Sequence, residues 1–391
     1  MRNVARSVAL VVVLAFAAVE GSAQSLYNAA GIGLPVEPID GRARALGNLG
    51  IGLPGNALLP GDPAAAGMLL APSAVVVGQP SWVDYEQGAA SSGSFQGNRF
   101  PLLGIGYPAA TGMFTFMLSS FLDQHYEARR SVDLSLRDQV IPVTDIFEQQ
   151  GSVGSVMLGF SQPIGETAGV GINVGRYAGS VLRRLERDFT DVLIPGELAS
   201  YEAEGNWTYS GASVTGGGLV DLGSIVRLSA SVTWSSALEA TPDEDTAGGV
   251  RSYSLPFQYR AGASAVLSPG LMVTTSVVRA DWGGIEDDIL TPATVGSTSG
   301  FGVGFELSRA RLLGMAAPLR FGYRRSELPF TLAGDVATER VFAAGLGVSF
   351  SETNGIVLGG ADFAIERGRR SDSSLTESFW RATVSLRISG Y

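Results

Sequence analysis

The sequence predicts an all-β fold, a 14-stranded antiparallel transmembrane β-barrel with an N-terminal hatch, on three observations. From residue 73 onward the chain alternates apolar and polar residues in segment after segment, and the connections between segments alternate long and short. No stretch reaches the roughly 18 to 20 apolar residues that a membrane-crossing helix needs. Composition agrees with that class: apolar residues make up 45% of the chain, charged ones only 16%, and there are 52 glycines. A barrel wall accounts for the mixture, since one face of every strand meets lipid, glycine is tolerated where the wall crowds the lumen, and charge is confined to loops and interior.

At the N-terminus, Arg2 and Arg6 precede the uncharged apolar run from Val8 to Val19, and Gly21-Ser22-Ala23 supplies small residues for cleavage. Residues 1–23 therefore read as a secretory signal peptide. Residues 24–72 hold Gly, Pro, Ala and Leu without a period of two and are too long for a linker, which makes them a plug, or hatch. The barrel is expected over 73–391.

The clearest strands lie in the second half. Val226, Leu228, Ala230, Val232 and Trp234 fall on one face, with Arg227, Ser229, Ser231 and Thr233 on the other. Phe301, Val303, Phe305 and Leu307 oppose Gly302, Gly304 and Glu306; Leu319, Phe321 and Tyr323 oppose Arg320, Gly322 and Arg324. The last segment sets Trp380, Ala382, Val384, Leu386 and Ile388 against Arg381, Thr383, Ser385 and Arg387. Long connections are expected near 80–98, 128–149, 182–204, 239–249, 283–298, 327–337 and 368–376, with short turns near 109–112, 164–166, 219–223, 268–270, 310–314 and 351–355. Long outer loops and tight inner turns place both termini in the periplasm of a bacterial cell with an outer membrane. On that topology Trp82, Trp207, Trp234, Trp282 and Trp380 all sit at outward strand ends, as an aromatic girdle would.

Several chemistries are excluded by what is missing. Without cysteine there is no disulfide, thiolate metal site or lipidated N-terminus. A net charge of −10, more negative still once Arg2, Arg6 and Glu20 leave, argues against nucleic acid. His125 is the single histidine and no Gly-x-Ser-x-Gly elbow exists, so neither a catalytic triad nor a zinc site is expected, and no cofactor. Gly50-Ile51-Gly52-Leu53-Pro54-Gly55 matches the dinucleotide pattern in letters, but no strand precedes it and Pro54 would interrupt the helix it should open. Asp243-Glu244-Asp245 and Glu286-Asp287-Asp288 read as solvated loop charge. The wall arginines carry more information, because an Arg facing lipid at the midplane costs about 2 to 4 kcal/mol and so must face inward. Glu306 near Arg320 and Asp362 near Arg381 read first as opposed charges that zip neighbouring strands. The functional alternative is that Arg320, Arg324, Arg381 and Arg387 hold a ligand carboxylate or the acidic groups of the hatch.

Arg42-Ala43-Arg44-Ala45-Leu46-Gly47-Asn48-Leu49-Gly50, followed by Gly61-Asp62-Pro63-Ala64-Ala65, resembles the N-terminal segment of the long-chain fatty-acid transporter superfamily. Pro318 to Arg324, Leu328-Pro329-Phe330, Gly345-Leu346-Gly347 and Thr376 to Arg381 resemble that superfamily's last four strands. Where its members often carry Asn-Pro-Ala before the first strand, this chain has Leu70-Ala71-Pro72. The resemblance implies a plugged 14-stranded barrel whose hatch includes Arg42, Arg44 and Asp62. It also implies that a hydrophobic or amphipathic small molecule, long-chain fatty-acid-like, is captured outside and released sideways into outer-membrane lipid. One branch of the superfamily serves protein secretion, so a secretion-associated or structural barrel with a protein partner is the alternative. Neither reading is that of an enzyme.

Overall fold

The computed structural model describes residues 25–55, 57–69, 71–88, 91–136, 139–189, 200–289, 293–312, 315–332, 335–353 and 356–390. The expected signal peptide, 1–23, lies outside them.

Fourteen wall strands follow in order: β1 (Ser73–Gln87), β2 (Ser91–Ala109), β3 (Gly112–Asp123), β4 (Gln139–Ile164), β5 (Ala168–Asp188), β6 (Tyr201–Leu222) and β7 (Val226–Ser235). They continue with β8 (Gln258–Ser268), β9 (Leu271–Asp281), β10 (Ser297–Leu307), β11 (Leu319–Glu327), β12 (Thr338–Thr353), β13 (Ile356–Ser371) and β14 (Leu375–Ser389). Each pairs antiparallel with the next, and β14 pairs back onto β1 from Ser73↔Ser389 to Gln87↔Leu375, so the sheet closes. Closure leaves no free edge of backbone donors in lipid.

Burial is inverted relative to a soluble sheet. On β7, Leu228, Val232 and Trp234 are exposed while Arg227, Ser229, Ser231 and Thr233 are buried. The same holds for Phe301, Phe305 and Leu307 against Glu306 on β10. Apolar side chains outside and polar ones inside define a transmembrane wall.

Two expectations need correction. Two of the stretches expected as long outer loops, 80–98 and 128–149, are largely strand among the described residues. β1 and β2 stay paired from Pro80↔Asn98 to Gln87↔Ser91, and Tyr126–Leu136 pairs with the first part of β4. Beyond the bilayer neither face of a hairpin must be apolar, so alternation fades from the sequence while the backbone ladder continues. The girdle also contains fewer tryptophans than expected. Trp82, Trp234 and Trp380 are 45 to 46% exposed, but Trp207 and Trp282 are buried. Trp207 is covered where Leu238–Pro242 folds back to pair with β6 and where Arg251 stands 4.7 Å over its ring. Trp282 packs edge-on against Phe330, with ring centroids 5.4 Å apart.

The lumen is filled by the N-terminal segment, which is buried almost throughout. It contains a short helix α1 (Gly41–Ala45), whose Ala43 N–H is capped by the Asp40 carboxylate at 2.8 Å, and a 3₁₀ turn at Pro63–Met68. With almost no ladder of its own, its backbone needs other partners. Inner-wall side chains supply them. Ser264 donates to the Gly52 carbonyl at 2.6 Å, Ser231 to the Gly61 carbonyl at 2.6 Å and Asn173 to the Pro60 carbonyl at 3.1 Å.

Candidate functional site

Inner-wall charge gathers on β10 to β14, where the period of two turns one residue in two toward the lumen. Arg320 Nε is 2.7 Å from Glu306 Oε2, its direct partner across β10 and β11, and Arg320 Nη1 is 2.6 Å from Asp362 Oδ1. Arg324 is shared between Glu366 and Glu339. Arg387 Nη2 lies 3.0 Å from Asp40 of the hatch and 3.1 Å from Asp362. Asp362 therefore meets Arg320 and Arg387 rather than Arg381, because the register sets it opposite Ser385 and sets Glu366 opposite Arg381. Arg381 Nη1 is 3.6 Å from Glu366, and its guanidinium stacks on Phe379 at 4.6 Å.

The hatch joins this network. Arg42 makes a two-pronged bond to Glu306, at 2.8 and 3.1 Å, and donates at 2.5 Å to the Pro54 carbonyl. Arg44 reaches the Glu37 carbonyl at 2.7 Å. Asp62 accepts from Gly52 N–H at 2.9 Å and so ties two turns of the hatch together. Close approach of backbones explains the inner-face glycines: a Cβ on Gly302, Gly304 or Gly322 would overlap the Leu46 and Gly47 backbone, and Gly47 itself has φ +60°. A side chain at any of these wall positions would push the hatch away.

The opposite side of the lumen is built differently. The β2 to β3 ladder runs from Ala109↔Gly112 up to Leu102↔Ser119 and stops there. Pro101, next on β2, has no N–H to donate. Above it Leu34–Pro35 of the hatch takes the edge of β3, pairing Leu34 with Asp123 and Pro35 with Leu122, and Val36 N–H donates to the Phe121 carbonyl at 2.8 Å. Side chains help bridge the wall here: Ser120 Oγ donates to the Phe100 carbonyl at 3.3 Å, and Arg99 pairs with Asp123. Phe100 is 58% exposed on the outer face and stands four residues, roughly 13 Å, inward of Gln96, which is paired with girdle Trp82. The break thus lies within the apolar band.

Beside the break is a cavity of about 200 Å³. Leu34, Pro35, Phe121, Tyr177, Trp282 and Leu328 contribute apolar lining, Ser119, Ser155, Thr215 and Thr233 hydroxyls, and Arg99, Arg260 and Arg381 guanidinium groups. Of the four arginines singled out from sequence, Arg381 lines this cavity; Arg320, Arg324 and Arg387 are enclosed in the charge network. Arg260 was not anticipated. It bonds Gln258 Oε1 at 2.9 Å, and no ion pair of it occurs among the described residues. The period of two on β8, with Tyr259 and Ala261 facing out, is the signal that would have found it. His125, the single histidine of the chain, sits at the rim with Nδ1 2.9 Å from Asp123 Oδ1.

Several solved structures have this architecture. The Ralstonia pickettii toluene transporter TbuX aligns with a TM-score of 0.58 at 15% identity, over 91% of this chain and 99% of that one. The P. putida toluene transporter TodX gives 0.59 at 15%, over 91% and 99%, and a Pseudomonas aeruginosa FadL homologue 0.61 at 11%, over 92% and 100%. At such identities the likeness establishes a shared fold along nearly the whole of each chain. No protein-family model matches the chain, and no curated protein sequence does.

Proposed function

We propose that this protein carries small hydrophobic molecules across a bacterial outer membrane, taking them from the outer side into the cavity above the hatch and releasing them sideways into lipid between β2 and β3. The observation that carries the reading is continuity: Leu34, Pro35 and Phe121 line the cavity and also form the stopper in the wall break. Transporters of toluene and a FadL homologue among the similar structures support it. A dry cavity of about 150 Å³ is enough to hold benzene, so about 200 Å³ suits a molecule built on one ring. A long-chain fatty acid would fit only with the N-terminal stopper displaced. In that case Arg260 and Arg381 would face its carboxylate, whereas Arg320 and Arg324 pair with carboxylates of the wall and Arg387 reaches Asp40 of the hatch.

The test uses the absence of native cysteine. Paired residues in an antiparallel ladder have Cα atoms about 4.5 to 5.5 Å apart, within disulfide range. A Pro35→Cys, Leu122→Cys double variant should lose uptake of toluene by whole cells when oxidised and recover it on reduction. Full uptake by the oxidised, cross-linked protein would rule out exit through this gap.

A further inference from the structure

On the outside of the barrel, the paired residues of β11 to β14 and β1 form rows. One row runs Tyr323, Phe342, Arg367, Trp380, Trp82, each the direct partner of the next. Arg367 lies over the Trp380 ring at 5.2 Å. This is the girdle that marks the outer boundary of the bilayer. One pleat further out, the next row sets Arg325, Arg340 and Arg369 side by side on three adjacent strands. All three are exposed.

Like charges directly opposite each other repel. Among the described residues none of the three is in an ion pair; Arg369 reaches only Thr376 Oγ1, at 3.5 Å. Glu327, the nearest carboxylate along β11, accepts from Ser299 instead. Continuing along the row, a carboxylate appears only at Asp84, beyond Ser378. In a chain of net charge −10 a row of cations runs against composition.

We infer that Arg325, Arg340 and Arg369 bind the phosphorylated headgroup of an outer-leaflet lipid. Their level fixes the occupant, since groups just outside an aromatic girdle stand among headgroups, not among acyl chains or in bulk water. Chemistry agrees: guanidinium groups take phosphate oxygens two at a time. With strands about 4.8 Å apart, the row spans roughly 10 Å, room for a headgroup with more than one phosphate. Arg367 and Trp380 lie beneath it, against the sugar or glycerol and the first methylenes.

The experiment is native mass spectrometry of the detergent-purified barrel titrated with diphosphorylated lipid A or its dephosphorylated form. The wild type should retain the phosphorylated lipid at a concentration at least tenfold lower, and R325Q/R340Q/R369Q should lose that preference while keeping heat-modifiable mobility. The corresponding triple Lys variant should keep part of it, and Arg129→Gln with Arg184→Gln, on the outer hairpins, should change nothing. Undiminished preference in the Gln variant overturns the inference. Displacement of the lipid by millimolar inorganic phosphate, or by a soluble acidic peptide, would overturn it too and assign the row to a soluble anion or a protein.

Discussion

The two sides of the lumen grip the same hatch by different means. Against β10 to β14 the hatch backbone lies on glycines with no side chain between, and Arg42 and Asp40 enter a network of buried, mutually paired charges. Against β3 it is held by two ladder positions and one further backbone bond, at a place where the wall itself is stitched by side chains. A segment with few bonds opens locally at small cost, whereas a network loses several partners with each member removed. The hatch is therefore anchored on the β10 to β14 side both at Ser25 and Leu26, which bond the Glu377 carboxylate, and at Asp40 and Arg42, and the Leu34–Val36 stretch between these anchors is the more lightly held stopper.

The strongest way to break that contrast is steric. Gly322→Val places atoms where the Leu46 and Gly47 peptide lies, so the fixed side should let go of the hatch. Planar-bilayer recordings should then show open-pore steps absent in the wild type. Gly216→Val, on β6 with open space around it, should leave conductance unchanged. Equal conductance in both variants would mean that the glycine floor does not hold the plug.

A smaller effect is expected from charge. Glu306→Gln takes from Arg42 its carboxylate partner and from Arg320 one of two, Asp362 remaining at 2.6 Å. Removing one member of a buried pair costs about 3 to 5 kcal/mol, to be read as a lowered urea midpoint of the reconstituted barrel. Combining it with Arg42→Gln should recover part of the loss. Arg99→Gln on the other side, where Asp123 keeps His125 at 2.9 Å, should cost less and instead increase leak of toluene through the gap. A larger loss from Arg99→Gln than from Glu306→Gln would invert the assignment of fixed and free sides.

The fixed side was the more legible in sequence, for a physical reason. Glu306, Arg320, Arg324 and Arg381 alternate with lipid-facing apolar residues, and the cost of charge in lipid leaves only one direction to point. Which carboxylate meets which arginine was less legible, because a shift of a few residues along the turn between β13 and β14 changes every partner; Asp362 went to Arg320 and Arg387 for that reason. The free side left almost no periodic signal. Its break depends on a non-local event, Leu34 and Pro35 arriving from the N-terminus to take the edge of β3, and only Pro101 marks it in the chain. The period of two on β8 turns Arg260 inward, but whether an inward arginine is occupied depends on pairing across the lumen, which cannot be read along one strand.

The smallest expected effect sharpens the same contrast with one ion pair on the free side, outside the membrane. In the outer hairpin beyond the break, Arg187 Nε and Nη2 donate to Asp145 Oδ1 and Oδ2 at 2.6 and 2.7 Å. These bonds hold the Asp145 carboxyl below its ordinary range. A carboxyl depressed in the folded state contributes stability that is present above the unfolded value, about 3.9, and is lost as pH falls through the folded one. The hairpin should therefore be tied at neutral pH and loosen only in acid, with little consequence for the barrel, since a pair whose arginine is a third exposed is screened by solvent as a fully enclosed pair is not. The carboxyl ¹³C resonance of Asp145 should titrate below the usual aspartate range and move back toward it in Arg187→Gln, while the urea midpoint of that variant stays at the wild-type value. An ordinary titration in the wild type, or a midpoint shift as large as that of Glu306→Gln, would mean that the outer hairpin is as firmly built as the buried network and that the two sides do not differ in the way described.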